Sequence, residues 1–249
     1  MENLILIPIA ILGVIIAYLT NYLSDVLPRT RRFSTPVCTD CGENRDAGGY
    51  LLWKKCPGCG ITPSPRFKLV IIMLPLITVL LWIYPPHHLN IWLAYICLFF
   101  LAAVAIIDIE HRVILNEMSL AGVFLGFIVG YSINGLAKTL IGGGAGFLIM
   151  LGLYFLGELF AKYMAKKRGL DSSEVALGFG DVNLGGILGL MLGWPVIFAC
   201  LLFAILIGGL ISAGLVAWML LRKDYKPFTA IPYAPFLILS GSILLYLLK

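Results

Sequence analysis

The sequence predicts an all-α integral membrane protein of about eight transmembrane helices, and three observations lead there. Of its 249 residues, 60% are hydrophobic and 12% charged, and the mean hydropathy is +0.98. A soluble domain carries about 25% charged residues, so most of this chain must sit in lipid, and a soluble two-domain protein is excluded. The apolar residues come in continuous runs of spanning length, whereas a strand barrel would alternate. The basic residues collect in alternate connections, the pattern that the positive-inside rule imposes on a multi-pass protein.

A spanning helix is roughly 20 mostly apolar residues. The first such run extends from Leu4 to Leu23. It lacks a basic leading region and a small-residue cleavage site, so it reads as a retained helix rather than a signal peptide. The second covers Leu69 to Tyr84, the third Ile91 to Ile107, the fourth Met118 to Ile133 and the fifth Thr139 to Ala161. The sixth, Val182 to Trp194, is short and rich in glycine; the seventh covers Val196 to Leu221 and the eighth Ile231 to Leu248. The chain therefore divides into a first helix (1–27), a polar loop domain (28–68) and a multi-helix membrane domain (69–249). The run Gly142-Gly143-Gly144-Ala145-Gly146 lies inside the fifth helix, where small residues permit close helix packing rather than phosphate binding.

Charge assigns the sides. Arg29, Arg31, Arg32, Arg45, Lys54, Lys55, Arg66 and Lys68 lie between the first and second helices, and Arg112 follows the third. Lys162, Lys166, Lys167 and Arg168 follow the fifth helix, and Arg222, Lys223 and Lys226 the seventh. Of the 18 Lys and Arg, only Lys138 and Lys249 fall elsewhere. Those four connections are expected in the cytoplasm, with both termini outside. The net charge of +5 then needs no nucleic acid to explain it.

The first of these connections carries Cys38-Thr39-Asp40-Cys41 and Cys56-Pro57-Gly58-Cys59, a C-x2-C-x14-C-x2-C arrangement. Each C-x2-C turn can aim two thiolates at one tetrahedral ion, so Cys38, Cys41, Cys56 and Cys59 are expected to hold a structural Zn2+. A loop of about forty residues has too little core to fold alone, and the metal would supply the missing stability. Two disulfides or a redox dithiol are the rivals; a cytoplasmic side disfavours the first and the duplication the second. Cys97 and Cys200 lie in apolar helices as packing residues.

Two carboxylates stand at the membrane edge. Asp108 ends the third helix in Ala105-Ile106-Ile107-Asp108-Ile109-Glu110-His111-Arg112, and Asp181 opens the sixth in Gly178-Phe179-Gly180-Asp181. Ionisable residues this close to lipid are functional candidates. The topology lets the two meet at one depth, and carboxyls in contact share a proton. Such a pair can hold a water, one member as base and the other as acid, and hydrolyse a peptide bond delivered to the membrane surface. Gly178 and Gly180 leave the backbone bare for an extended substrate. Taken singly, Asp181 is also a good helix cap, and Asp108 an interfacial charge beside Arg112. Asp25 reads as interfacial at the end of the first helix, Glu117 and Glu158 as interfacial or intrahelical, and His87, His88 and His111 as uninvolved.

These pieces together resemble a family, the type IV prepilin peptidases, membrane aspartyl proteases of the GxGD class. Asn21 with Leu27-Pro28, the paired cysteine turns, Asp108-Ile109-Glu110-His111-Arg112-Val113-Ile114-Leu115, Gly178-Phe179-Gly180-Asp181-Val182 and Ile231-Pro232-Tyr233-Ala234-Pro235-Phe236 carry the resemblance over nearly the whole chain. It implies removal of a short basic leader from prepilins or pseudopilins at the cytoplasmic face of the inner membrane, with Asp108 and Asp181 as the catalytic pair. Pili and type II secretion are the systems such enzymes serve. In many relatives the same protein methylates the new N-terminus with S-adenosylmethionine. Here the stretch nearest the family's Arg-Tyr-Pro motif, Arg66-Phe67-Lys68-Leu69-Val70, is followed by Ile71 where relatives carry glutamate. Asn116 and Asn183 also depart, from an aspartate and a lysine respectively. Against the peptidase stand a proton-coupled transporter, which would place its carboxylates at the bilayer midplane within an internal repeat, and a non-catalytic scaffold that binds a partner through its cysteine loop.

Overall fold

The computed structural model describes residues 2–38, 41–52, 54–62, 64–168, 178–222 and 232–247. Thr39, Asp40, Lys223, Lys226, Ile231 and Lys249, which figure in the sequence reading, lie outside them. Among the described residues the regular structure is all helical, apart from one isolated bridge between Val37 and Asn44. The helices are α1 (Glu2–Thr30), α2 (Ala47–Leu51), α3 (Pro65–Ile83), α4 (Ile91–His111), α5 (Asn116–Arg168), α6 (Phe179–Leu192), α7 (Val196–Leu221) and α8 (Ala234–Leu247). Five of them contain a stretch long and apolar enough to cross a membrane, and α6 and α8 are shorter apolar helices of 14 residues each. The chain is a multi-pass membrane protein. Large apolar side chains on α7 face outward, among them Leu206, Leu210 and Trp218, which suits a helix solvated by lipid.

The first unit, Met1–Ile107, packs α1, α3 and α4 around Ile9, Ile16, Ala17, Val70, Leu74, Tyr95 and Leu98. α1 runs one to two turns past the expected Leu23, because its last turns find partners. Asp25, expected at the interface, is buried instead. It accepts a 2.7 Å hydrogen bond from the Tyr50 hydroxyl and is ion-paired with Arg66. One carboxylate thus joins α1, the start of α3 and the short helix α2, which belongs to the cysteine loop. Beside it, the Asn21 amide donates to the carbonyl of Phe67, and the rings of Tyr18 and Tyr50 pack edge-on against Phe67.

The second unit, Asp108–Lys249, is organised on α6. α5, 53 residues long, is interrupted at Gly135 (φ 75°, ψ 172°), a conformation that glycine adopts without penalty. The contacts with α6 give the direction of each half. Gly126 and then Gly130 approach the carbonyls of Ile187 and then Leu190, so residues 116–134 run parallel to α6. Gly142 and then Gly146 approach Gly189 and then Gly185, so residues 136–168 run antiparallel to it. α5 is therefore a helical hairpin, the separate fourth and fifth helices of the sequence reading. Small residues four apart on both partners allow backbone to touch backbone, the usual means of helix association in lipid. At its far end α6 is closed by Asn134, whose amide donates to the carbonyls of Leu192 (3.1 Å) and Met191 (3.4 Å). Cys97 and Cys200 are fully buried packing residues. Glu158 forms an exposed 2.6 Å ion pair with Lys162 one turn on.

Candidate active site and cysteine cluster

Asp108 sits in the last turn of α4. That helix ends because Arg112 adopts a left-handed conformation (φ 53°) and closes the turn, its N–H donating to the Asp108 carbonyl at 2.8 Å. The segment that follows, Val113 to Leu115, leads into α5 and lies against Gly180: a Cβ there would come within 2.8 Å of the Ile114 side chain. Gly180 is thus required by the protein's own packing. Gly178 has no such neighbour, the nearest atom to a Cβ being the Asp181 carboxylate at 3.5 Å. Phe179, half exposed, packs edge-on against Phe147 and Tyr154 of the antiparallel half of α5. This fixes the approach to α6.

Asp181 occupies the first turn of α6. Its Oδ2 accepts the Gly178 N–H at 3.2 Å, the reach-back half of a capping box. Capping and chemistry are compatible here, because a carboxyl has a second oxygen. Both carboxyls are buried, Asp108 at 5% and Asp181 at 8% exposure, and they are near enough for the charge of one to act on the other. Asp108 is therefore no ordinary interfacial charge. Among the described residues its Oδ2 is buried without a hydrogen-bond partner. The turn preceding α8 completes the surroundings. The backbone N–H of Ala234 is directed at Asp108, while Tyr233 lies within electrostatic reach of Asp181. Both aspartates are thus brought together with a segment more than fifty residues further along the chain.

A cavity of about 460 Å³ opens between the α5 hairpin and α6, lined by Asn116, Ser119, Val123, Phe147 and Asn183 among others. Asn183 is two residues after Asp181, about 200° around the helix. The cavity is therefore on the opposite side of α6 from the carboxylates. It gathers Asn116 and Asn183, the two positions singled out in sequence, into one place.

In the first unit the four cysteines of the loop converge. All four sulfurs lie within 4.8 Å of one another, with Cys38 to Cys59 and Cys41 to Cys56 both at 3.6 Å and no disulfide formed. Sulfurs bound about 2.3 Å from a tetrahedral zinc would be about 3.8 Å apart, so the donor set fits such an ion. The two turns are built alike. Gly42 and Gly60 follow them with φ of 73° and 69°, and their N–H groups return to the carbonyls of Cys38 and Cys56 at 3.0 and 2.9 Å. The N–H groups of Cys38 and Cys56 in turn donate to the carbonyls of Glu43 (2.8 Å) and Ile61 (3.0 Å). Backbone N–H groups, that of Cys59 foremost and that of Gly58 as well, hold the Cys56 thiol down to about 6, which suits it to bind metal as thiolate.

Residues 95–213 match the model of the Type IV leader peptidase family. A prepilin leader peptidase/N-methyltransferase of Aeromonas salmonicida is 28% identical over 200 residues, covering 78% of this chain and 63% of the relative. Proteins of the same name from Pseudomonas aeruginosa and Pectobacterium carotovorum are 28% and 29% identical. Each match covers 84% of this chain, and 70% and 71% of those relatives respectively. The chain thus spans about 63% of the length of the Aeromonas relative. No solved structure matches significantly.

Proposed function

We propose that this relative of the type IV leader peptidases is a membrane aspartyl endopeptidase that removes the basic leader from prepilins or pseudopilins. One observation carries the reading: Asp108 and Asp181, from two helices, are buried within electrostatic reach of each other, outside any ion pair found among the described residues. Carboxyls so arranged hold one proton between them. The ionised member takes a proton from a water as its oxygen attacks the scissile carbonyl carbon, and the neutral member gives its proton to the carbonyl oxygen. Collapse of the tetrahedral species breaks the C–N bond: the departing nitrogen takes the proton held by the base, and one hydroxyl proton of the diol returns to the other carboxylate, so the pair again holds one proton. Gly178, with space where a side chain would be, is where an extended substrate backbone would pass.

The carboxylates belong on the cytoplasmic side of the inner membrane, by the distribution of lysine and arginine. A basic leader would meet them there. The cysteine cluster holds a structural zinc. Neither the transporter nor the scaffold accounts for a buried aspartate pair at helix ends. The test is cleavage of a co-expressed prepilin by the wild type and by Asp108→Ala and Asp181→Ala. Both variants are expected to accumulate uncleaved prepilin, and full activity in either overturns the pair. N-methylation, named in the relatives, is a separate activity that would use S-adenosylmethionine. Arg66, in the stretch nearest the relevant motif, is already committed to Asp25. Mass spectrometry of the mature pilin N-terminus decides it: an unmethylated product excludes the activity for that substrate.

A further inference from the structure

The aspartate pair has a neighbour that the two-carboxylate scheme leaves unused. Tyr233, the last residue before α8, carries a hydroxyl that is buried and, among the described residues, without a hydrogen-bond partner. Buried phenols ordinarily find one. This hydroxyl is within electrostatic reach of Asp181 and Cys200, and the Cys200 thiol is already engaged with Ser240 at 3.4 Å. The residue is held in place from several directions. Its ring meets Phe236 edge-on, the edge of the same ring lies near Gly208 of α7, and its carbonyl receives the N–H groups of Phe236 and Leu237 at 3.1 and 3.3 Å. The next residue, Ala234, directs its N–H at Asp108. One turn therefore directs an N–H at Asp108 and carries a hydroxyl within electrostatic reach of Asp181. The unsatisfied groups of this cluster are complementary, a donor on Tyr233 and an acceptor, Oδ2, on Asp108.

We propose that the Tyr233 hydroxyl is a third catalytic group, donating a hydrogen bond to the scissile carbonyl oxygen as its carbon becomes tetrahedral. The inference rests on the aspartyl peptidase reading above. Attack by water moves charge onto that oxygen before the proton of the neutral aspartate has fully transferred, and a donor already oriented in a water-poor site stabilises that developing charge without reorganising. The hydroxyl transfers no proton and returns unchanged. An unpartnered donor is what such a role requires, because any partner in the resting protein would have to be given up during the reaction.

The experiment is Tyr233→Phe, which removes one oxygen and no packing surface. The expected result is a fall in kcat of about 100-fold, the scale for losing one such donor, with KM within threefold and a melting temperature equal to or above wild type. A peptide carrying a hydroxyethylene isostere at the scissile bond should bind the variant more weakly by a similar factor, while the ground-state substrate peptide binds both proteins alike. Should Tyr233→Phe fail to fold, 3-fluorotyrosine placed at position 233 keeps ring and hydroxyl but makes the phenol more acidic. The phenol is then a stronger hydrogen-bond donor, and kcat should rise with KM within threefold. A Tyr233→Phe protein that keeps kcat within threefold, or a 3-fluorotyrosine protein whose kcat equals that of the wild type, overturns the proposal. A wild type that cleaves prepilin while Tyr233→Phe cleaves it equally well removes this role only. A wild type that does not cleave at all removes the peptidase reading itself.

Discussion

Substituting Gly142 by alanine should disable the site without touching it. A Cβ at Gly142 would lie 2.5 Å from the carbonyl oxygen of Gly189 and 2.6 Å from both Cα and C of Gly193. Ordinary contact begins at 3.4 Å, so the added methyl is about 0.9 Å too close. All three obstacles are backbone atoms, and no rotamer change removes them; α6 has to recede from the α5 hairpin. Overpacking of this kind costs about 1–3 kcal/mol, offset by about 1 kcal/mol from the better helix propensity of alanine. For a chain of this size each kcal/mol shifts the melting temperature by about 2–4 °C. The functional effect is larger. Asp181 sits in the first turn of the displaced helix, and a misplacement of about 1 Å costs on the order of 100-fold in rate. Gly144→Ala is the control, since nothing lies within 4 Å of its Cβ; it should gain up to about 1 kcal/mol and keep wild-type cleavage. The assays are thermal unfolding in one detergent and the rate of prepilin cleavage. If Gly142→Ala and Gly144→Ala behave alike in both, backbone contact between these helices does not position the aspartate.

Other substitutions probe other joints. Arg66→Met removes the counter-charge of buried Asp25 and should lower stability by about 3–5 kcal/mol; adding Asp25→Asn to it should recover much of the loss, read as melting temperature. Asn134→Ala frees two carbonyls at the end of α6 and should cost about 1–2 kcal/mol in the same measurement. Elemental analysis should find one zinc per chain, reduced by Cys59→Ser or a strong chelator. Limited proteolysis should then cut between α1 and α3, and an uncut loop after metal removal would count against a structural ion.

The helices were legible because hydrophobic runs of spanning length hardly depend on what they pack against. The hairpin at Gly135 was legible too, since Ser132-Ile133-Asn134-Gly135 interrupts two apolar runs. Lipid selects composition, and composition can be read. What escaped depended on contacts between distant residues. Asp25 looked interfacial because its partners are 25 and 41 residues away, and no periodicity announces such a triad. α2, five residues with two glycines, carries no helical signal of its own; it exists inside the cysteine loop. In sequence Gly180 offers clearance for a substrate, yet Ile114 fills the space. In sequence Tyr233 is only part of a proline-rich approach to a helix. An unpartnered hydroxyl becomes visible only when its surroundings are known.

The two helices that begin beside the aspartates, α6 and α8, have 14 residues each. At 1.5 Å per residue they are about 21 Å long, against a hydrocarbon core of about 30 Å. Ten of the 14 residues of α6 are buried, so the deficit of about 9 Å lies within protein and not against lipid. A helix that starts this far inside a span leaves a depth through which water and a polar peptide backbone could pass to the proposed pair. On that reading acyl-chain length is a variable of the rate: cleavage should be faster in thin bilayers than in thick ones of the same headgroup.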